Sequence, residues 1–157
     1  MSRYSKKIFL EDIRKKEFCY LPKSKFFDQP EYKVSNENFP QEFFSIVAIF
    51  EEDCNFNVKK LYSDSGRLFI YGQNSRGDSN NELMLRYGNN ELIVARVKFI
   101  HTREGNMTRL YKILKQIRKK YKLNKIIIEC CNSDSASWCT KNGFVTMEGD
   151  KTSYVEK

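Results

Sequence analysis

The residue types that could do chemistry are most concentrated in residues 101–108, where a predicted strand ends and a predicted helix begins. The first backbone N–H groups of a helix have no partner within the helix, so they can bind a phosphate or pyrophosphate group. His101 is the only histidine in the chain, and an imidazole can act as a general base near neutral pH. The alternative is that His101 simply faces solvent. The segment predicts an anion-binding site with a titratable group beside it.

Two strands and a helix must position this segment. Residues 91–101 are predicted to form a strand long enough to cross a sheet, and residues 125–130 form a second strand rich in isoleucine. Between the two strands, apolar residues recur at helical spacing: Met107, Leu110, Leu114, Ile117 and Tyr121. A strand, a helix and a strand in this order predict a parallel pair joined by a right-handed crossover.

The rest of the chain predicts an α/β fold in which helices flank a central mixed sheet. The other predicted elements are a helix at about 40–53, strands at 68–71 and 83–87 around a polar loop at 72–81, a tight turn at 88–90, a helix at about 133–142 followed by Gly143, and strands at 144–147 and 153–156. In residues 1–38, Ile8, Phe9 and Ile13 suggest a short amphipathic helix.

The totals favour one domain spanning residues 1–157, because two cores of ordinary size would each need roughly 100 residues. No apolar run approaches the roughly 18 residues of a membrane span, and no signal-peptide core follows the basic N-terminus. We therefore expect a cytoplasmic protein without a membrane partner. The five cysteines form no Cys-x-x-Cys pair, and the chain has one histidine. Reduced thiols and no metal site are expected.

Residues 97–144 resemble the core of the GNAT family of N-acetyltransferases. That core has a long strand, an Arg/Gln-x-x-Gly-x-Gly/Ala loop, an amphipathic helix, an apolar strand ending near an asparagine, a helix with an aromatic pair, and a Gly-Phe terminus. Here the loop is residues 103–108, the second strand leads to Asn132, and residues 138–144 read Trp-Cys-Thr-Lys-Asn-Gly-Phe. The motif core falls within residues 91–147.

The loop departs from the family pattern at two positions. Asn106 and Thr108 stand where the family usually has small residues. A short side chain at Asn106 tolerates a left-handed backbone, and the hydroxyl of Thr108 can add a hydrogen bond to a phosphate. The altered loop is therefore compatible with binding.

The resemblance implies that acetyl-CoA is the co-substrate and that it lies where the first strand splays from its parallel neighbour. The pantetheine arm would then contact the main chain of residues 99–101, and residues 103–108 would hold the phosphates. The residues implied to bind the cofactor are Phe99, Ile100, His101, Arg103, Glu104, Gly105, Asn106, Met107, Thr108, Asn132 and Trp138. For Trp138 the alternative is a place in the core.

The implied reaction moves an acetyl group to a primary amine of an acceptor, which is a small molecule or a protein. The amine must be neutral to attack the thioester, and the departing thiolate needs a proton. His101 and Glu129 are the candidate bases. Cys139 stands at the position of the family's usual proton-donating tyrosine, so it is either a proton donor or a buried packing residue. We expect catalytic roles to fall among these three residues.

Two other classes of function stay open. A catalytically silent relative would keep the fold, with or without acyl-CoA binding, and act through protein contacts. A nucleic-acid-binding protein would explain the net charge of +8 and the cations of the helix that begins near residue 107. These cations are spread around the helix instead of forming one stripe, which favours a solvated face over a nucleic-acid interface. The sequence predicts neither the acceptor nor the oligomeric state.

Overall fold

The computed structural model describes residues 20–21, 31–34, 42–64, 67–88, 90–129 and 132–156. These residues contain three helices: α1 (Glu42–Asp53), α2 (Asn106–Lys120) and α3 (Ser133–Lys141). They also contain nine strands: β1 (Tyr20–Leu21), β2 (Glu31–Val34), β3 (Val58–Asp64), β4 (Arg67–Gln73), β5 (Asn80–Gly88), β6 (Glu91–Lys98), β7 (Lys125–Ile128), β8 (Phe144–Met147) and β9 (Asp150–Glu156). The amphipathic helix predicted around Phe9 lies outside the described residues.

The nine described strands form one mixed sheet in the order β1-β2-β3-β4-β5-β6-β7-β9-β8. β6 and β7 run parallel and are joined through α2, as the sequence predicts. β2 and β3 are also parallel, whereas the other neighbouring pairs are antiparallel. The α/β fold class, with helices flanking a central mixed sheet, is confirmed.

The hydrophobic core lies between the sheet and the helices α1 and α2. Leu68 and Ile70 of β4 are fully buried, whereas Phe69 and Tyr71 on the other face are only partly covered, so one face of the strand carries the core. Leu110 and Leu114 supply the matching apolar stripe of α2. The helices α1 and α2 contact each other and the sheet, whereas α3 contacts β8 and β9. Leu110, Leu114 and Ile117 of the predicted stripe are therefore buried, whereas the prediction for Tyr121 is wrong, because this residue follows the end of α2 and is 46% exposed.

The β4–β5 hairpin is longer than the sequence predicts. The polar loop predicted at 72–81 shortens to residues 74–79, because Gly72 pairs with Asn81 and Gln73 pairs with Asn80. Gly72 permits this pairing at close range, since a Cβ there would lie 2.5 Å from the Oδ1 atom of Asn81. The strand β3 also lies in a stretch where no strand is predicted.

The strand β6 ends at Lys98, three residues before its predicted end. The backbone N–H groups of Ile100 and His101 donate to the side chain of Asp53 instead of continuing the sheet. The tight turn before β6 is as predicted, with Asn90 at a φ of 65°. Across the described residues, none of the helices has both the length and the apolar character needed to cross a membrane.

Candidate functional site

The parallel strands β6 and β7 separate after a short paired stretch. Their register runs from Glu91 opposite Lys125 to Val94 opposite Ile128, and a hydrogen bond of 2.8 Å from Glu129 N to Val94 O follows it. On the other side of β6, the register with β5 shifts at Ala95, which has no partner residue there. An extra residue of this kind bends a strand. β6 continues to Lys98 with no register partner on β7, which leaves an opening between the two strands.

A cavity of about 780 Å³ occupies this opening. Its volume falls within the range of ordinary small-molecule sites, roughly 300–1,000 Å³. The end of β6, the loop that follows it, the start of α2 and one face of α3 form the walls. The lining residues are Val97, Lys98, Phe99, His101, Thr102, Arg103, Gly105, Asn106, Met107, Asn132, Ser133, Asp134, Ser135, Ser137, Trp138 and Lys141.

The first turn of α2 faces the cavity without a cap of its own. Gly105 precedes the helix with a φ of 82°, and no side chain caps the first turn. Arg103, which lines the cavity, also has a left-handed backbone, with a φ of 63°. The unpaired N–H groups and the helix dipole of a first turn attract anions. The loop therefore has a backbone arrangement that favours an anion at the end of the cavity.

The second helix beside the cavity caps itself. The Oδ1 atom of Asn132 accepts a hydrogen bond of 2.9 Å from the backbone N–H of Ser135, and the hydroxyl of Ser135 also contacts it. This is the ordinary N-cap arrangement. Asn132 therefore lies at the cavity, as predicted, but its side-chain oxygen already serves α3.

The tolerance of Asn106 for a left-handed backbone is not used in the structure. Within residues 101–108 the left-handed residues are Arg103 and Gly105, and Asn106 is the first residue of α2. The physical reason is that Gly105 takes up the reversal of the chain, so the helix begins directly after it. The hydroxyl of Thr108 accepts a hydrogen bond of 3.1 Å from Nε1 of Trp138, which leaves its own proton available to a ligand.

A buried carboxylate that the sequence reasoning missed organises the loop. Asp53, the last residue of α1, has a side chain with no exposed surface. Its Oδ2 atom accepts hydrogen bonds from the backbone N–H of Ile100 (2.8 Å) and from Nδ2 of Asn81 (2.9 Å). Its Oδ1 atom accepts from the backbone N–H of His101 at 2.9 Å. Oδ1 also accepts a hydrogen bond from the Nδ2 atom of Asn106 at 3.4 Å.

Asp53 also contacts the ring of His101. The Nδ1 atom lies 3.1 Å from Oδ1 of Asp53, while the His101 side chain is 55% exposed and lines the cavity. Because an ionised carboxylate can only accept, Nδ1 must carry the proton. The other ring nitrogen, Nε2, then has a free lone pair. The arrangement can accept a proton from a molecule in the cavity.

One sequence signal could have revealed Asp53. The helix α1 ends in Glu51, Glu52 and Asp53, with no cation in its last turn. The C-terminal end of a helix carries a partial negative charge, which makes this the unfavourable end for carboxylates. Three acids there indicate that at least one has a partner elsewhere in the fold. The sequence could not identify the partners, because the backbone N–H groups of Ile100 and His101 lie 47 and 48 residues after Asp53.

The cofactor-binding prediction for the main chain of residues 99–101 meets a competing contact. The N–H groups of Ile100 and His101 are engaged by Asp53, and the carbonyl of His101 accepts from Nδ2 of Asn106 at 3.4 Å. Phe99 is 8% exposed, lines the cavity and stacks on Phe50 with 4.8 Å between ring centres. The free main-chain edge at the cavity therefore lies earlier in β6 than predicted.

Trp138 serves both the cavity and the core. Its ring lines the cavity and packs edge-on against Tyr111 at 5.3 Å between centres, and it meets Phe144 at 5.6 Å. Both readings of this residue from the sequence are therefore compatible with its position. Burial raises the pKa of Tyr111, and the nearby Arg118 partly offsets this effect. The hydroxyl of Tyr111 donates to Glu156, which also pairs with Arg118.

Several predicted site residues do not line the cavity. Cys139 is fully buried in the hydrophobic core, a position that suits its alternative reading as a packing residue. Glu129 forms an ion pair with Arg86 of β5. Ile100, Glu104 and Thr108 also fall outside the lining, although their neighbours are within it.

The face of α3 that meets the cavity contains residues which the sequence reasoning missed. Asp134, Ser137 and Lys141 line the cavity beside the predicted Trp138, and the four residues recur at helical spacing. The signal was available, since residues three, four and seven positions apart share one face of a helix. Cys139 lies on another face, which explains its burial in the core.

The cavity is electrostatically suited to an anion. Lys98, Arg103 and Lys141 are the cationic lining residues, and Asp134 is the one anionic residue among the described lining. A concave site with an excess of one sign concentrates ligands of the opposite sign. In the described part of the chain, no group of three or more histidine, cysteine, aspartate or glutamate residues could hold a metal ion.

Among known proteins, matches are found to solved structures. No protein family model matches the chain, and no curated protein matches its sequence. A crystal structure of PaiA N-acetyltransferase from Thermoplasma acidophilum, in complex with coenzyme A, is similar over 76% of this chain and 79% of that one. The identity is 14% and the TM-score is 0.39. A similarity at this level carries no inference about ligand or activity.

Proposed function

We propose that the protein binds acetyl-CoA in this cavity and transfers the acetyl group to an amine. The observation that carries the proposal is the cavity itself, which combines an opening between two parallel strands with an uncapped helix start and three cations. The resemblance of residues 97–144 to the GNAT core supports the same ligand independently of this geometry. The diphosphate would lie at the first turn of α2, beside Arg103.

The acyl arm would extend from the diphosphate along β6. Beyond Val94 this strand has no register partner on β7, so its main chain can bond a ligand. The amide groups of pantetheine would pair there as a short additional strand pairs with a sheet edge. Val97 and Phe99 line this part of the cavity. The thioester would then lie near His101, where the acceptor amine must also arrive.

The reaction needs a base close to the thioester. The amine nitrogen attacks the acetyl carbon, the bond from that carbon to sulfur breaks, and the proton lost by nitrogen leaves with the thiol. His101 is the best placed of the predicted bases, because it lines the cavity and contacts Asp53 through Nδ1, which leaves Nε2 as the ring nitrogen for proton transfer. Glu129 is engaged with Arg86, and Cys139 is buried.

Nucleic-acid binding is less well supported. Three of the cations of α2 are paired with acids elsewhere in the fold. Arg109 pairs with Glu52, Arg118 with Glu156, and Lys120 with Glu42. A helix face whose cations hold other helices and strands in place offers fewer charges to phosphates. The silent-relative alternative is decided by the turnover assay below.

The binding experiment is a thermal-shift titration with acetyl-CoA. A ligand selective for the native state stabilises it by about 2.7 kcal/mol at a concentration of 100 Kd, so the melting temperature rises. The substitution Arg103→Ala removes a charge-assisted contact and weakens binding roughly 10- to 100-fold. Thr108→Trp obstructs the first turn of α2. Lys119→Ala is the matched control, because it removes the same charge from the far end of the helix.

Two outcomes decide the proposal. No rise in melting temperature at millimolar acetyl-CoA contradicts binding, as does an equal loss in Arg103→Ala and Lys119→Ala. If binding is found, release of free CoA with a panel of primary amines tests transfer, and a thiol-reactive dye measures it. Binding without amine-dependent release identifies a silent relative.

A further inference from the structure

We propose that Asp53 is the positioning residue for a base at His101, and that the two residues act as a pair. This inference rests on the proposed acetyl transfer, because it assigns the base of that same reaction. Asp53 comes from α1 and His101 from the loop after β6, so the pair joins two parts of the chain. No motif in the sequence connects them.

The geometry fixes one orientation of the imidazole. Oδ1 of Asp53 accepts from both the backbone N–H of His101 (2.9 Å) and its Nδ1 (3.1 Å). A residue held at its backbone and at its ring by the same oxygen cannot rotate the ring without losing this partly buried contact. Nδ1 therefore keeps its proton, and Nε2 is the ring nitrogen that can take up a proton.

The carboxylate is itself immobilised. Asn81 of β5 donates to Oδ2 of Asp53 and, from the same Nδ2 atom, to the carbonyl of Phe50, each at 2.9 Å. Both of these contacts are buried, and the Asp53 side chain has no exposed surface. A base is more effective when a further shell of hydrogen bonds holds its orientation. Asn81 provides that shell here.

The balanced step requires nothing beyond the proposed substrates. Nε2 of His101 takes the proton that the amine nitrogen loses as its bond to the acetyl carbon forms. The bond from carbon to sulfur then breaks, and the same proton passes to the departing thiolate. Asp53 stays ionised and stabilises the transient imidazolium. Other charged groups surround this part of the cavity: Lys98 on β6, Arg103 on the loop, and Asp134 and Lys141 on α3.

The first experiment measures the tautomer of His101 directly by nuclear magnetic resonance. The chain has one histidine, so a tag-free sample gives one imidazole and no assignment ambiguity. Long-range proton–nitrogen correlation at a pH where the ring is neutral should show the proton on Nδ1. Asp53→Asn should lose this preference. A wild-type ring with its proton on Nε2 overturns the inference, and this measurement needs neither a variant nor a substrate.

The second experiment separates positioning from folding. Asp53→Asn should lower kcat roughly 100-fold or more, the usual contribution of a general base, while KM for acetyl-CoA changes less than about threefold. His101→Gln should have a similar effect, and the double variant should lose no more than either single one. Glu52→Gln is the matched control, since this neighbouring acid pairs with Arg109 at the surface.

The two proposals fail in different ways. A wild-type protein that neither binds acetyl-CoA nor releases CoA contradicts the proposed function. An active wild type with unchanged kcat in Asp53→Asn overturns the pair alone. Losses that add in the double variant, with a raised KM for acetyl-CoA, assign Asp53 a purely structural role and also overturn the inference.

Discussion

Replacing Gly72 by alanine should distort the site indirectly, through the buried side chains that support it. A Cβ at this position would lie 2.5 Å from Oδ1 of Asn81 and 2.8 Å from Sγ of Cys54, both closer than Cβ atoms of folded proteins approach other heavy atoms. The backbone of Gly72 is not left-handed, so the cost comes from contact and not from φ. Asn81 is fully buried, so its side chain can move only by displacing its neighbours.

The magnitude follows from what Asn81 holds. Its Nδ2 atom donates to the carbonyl of Phe50 and to Asp53, and the added methyl displaces both contacts. Overpacking a core costs roughly 1–3 kcal/mol, and weakening a hydrogen bond to a charged group adds up to roughly 1.5–3 kcal/mol. We expect Gly72→Ala to lower the free energy of unfolding by about 2–4 kcal/mol.

Urea unfolding, followed by circular dichroism, measures this loss. Gly77→Ala is the control, because Gly77 has a φ of +74° and open space around it, so only the backbone penalty of about 1–2 kcal/mol remains. In an Asn81→Ala background, the cost of Gly72→Ala should fall by about 1 kcal/mol or more. A cost below about 0.5 kcal/mol in the wild type, or an equal cost in both backgrounds, would refute the steric reasoning.

Two further measurements follow from buried and cavity-lining groups. Burial raises the pKa of the Cys54 thiol from 9.0 to about 11, so above pH 9 the unfolded chain loses a proton that the folded chain keeps. The free energy of unfolding should therefore fall by about 2–3 kcal/mol between about pH 9 and 11; a Cys54→Ala variant should show a shallower fall, and identical slopes would contradict the assignment. Trp138 is the only tryptophan and lines the cavity, so acetyl-CoA should change the intrinsic fluorescence with the same apparent Kd as the thermal shift. Unchanged fluorescence at saturating ligand would place the ligand elsewhere.

Local pattern accounts for the part of the fold that the sequence predicts well. The stripe through Leu110 and Leu114 marks α2, since helical spacing records which face is buried. The isoleucines of β7 mark a buried strand, and Gly143, with a φ of 81°, ends α3 as expected. Each of these signals lies within a few residues of the feature it predicts.

The features that the sequence did not predict depend on distant partners. In β3, Lys59 and Lys60 lie between the few buried apolar residues, so the alternation of apolar and polar residues is weak. The place of β3 in the sheet is set by its pairing with β4. The cavity position was predictable from the order of strand, loop and helix. The partners of Asp53 were not, because they lie on elements brought together only by the complete sheet.

The Asp53 carboxylate also bears on how the chain folds. Its partners Asn81, Ile100, His101 and Asn106 lie 28, 47, 48 and 53 residues away in sequence. Closing loops of this length carries an entropic cost that local turns do not. The hairpins β3–β4, β4–β5 and β5–β6 lie between α1 and the loop, and their pairing brings the two within reach. The wall of the cavity is therefore expected to form among the last steps of folding, after the sheet that supports it.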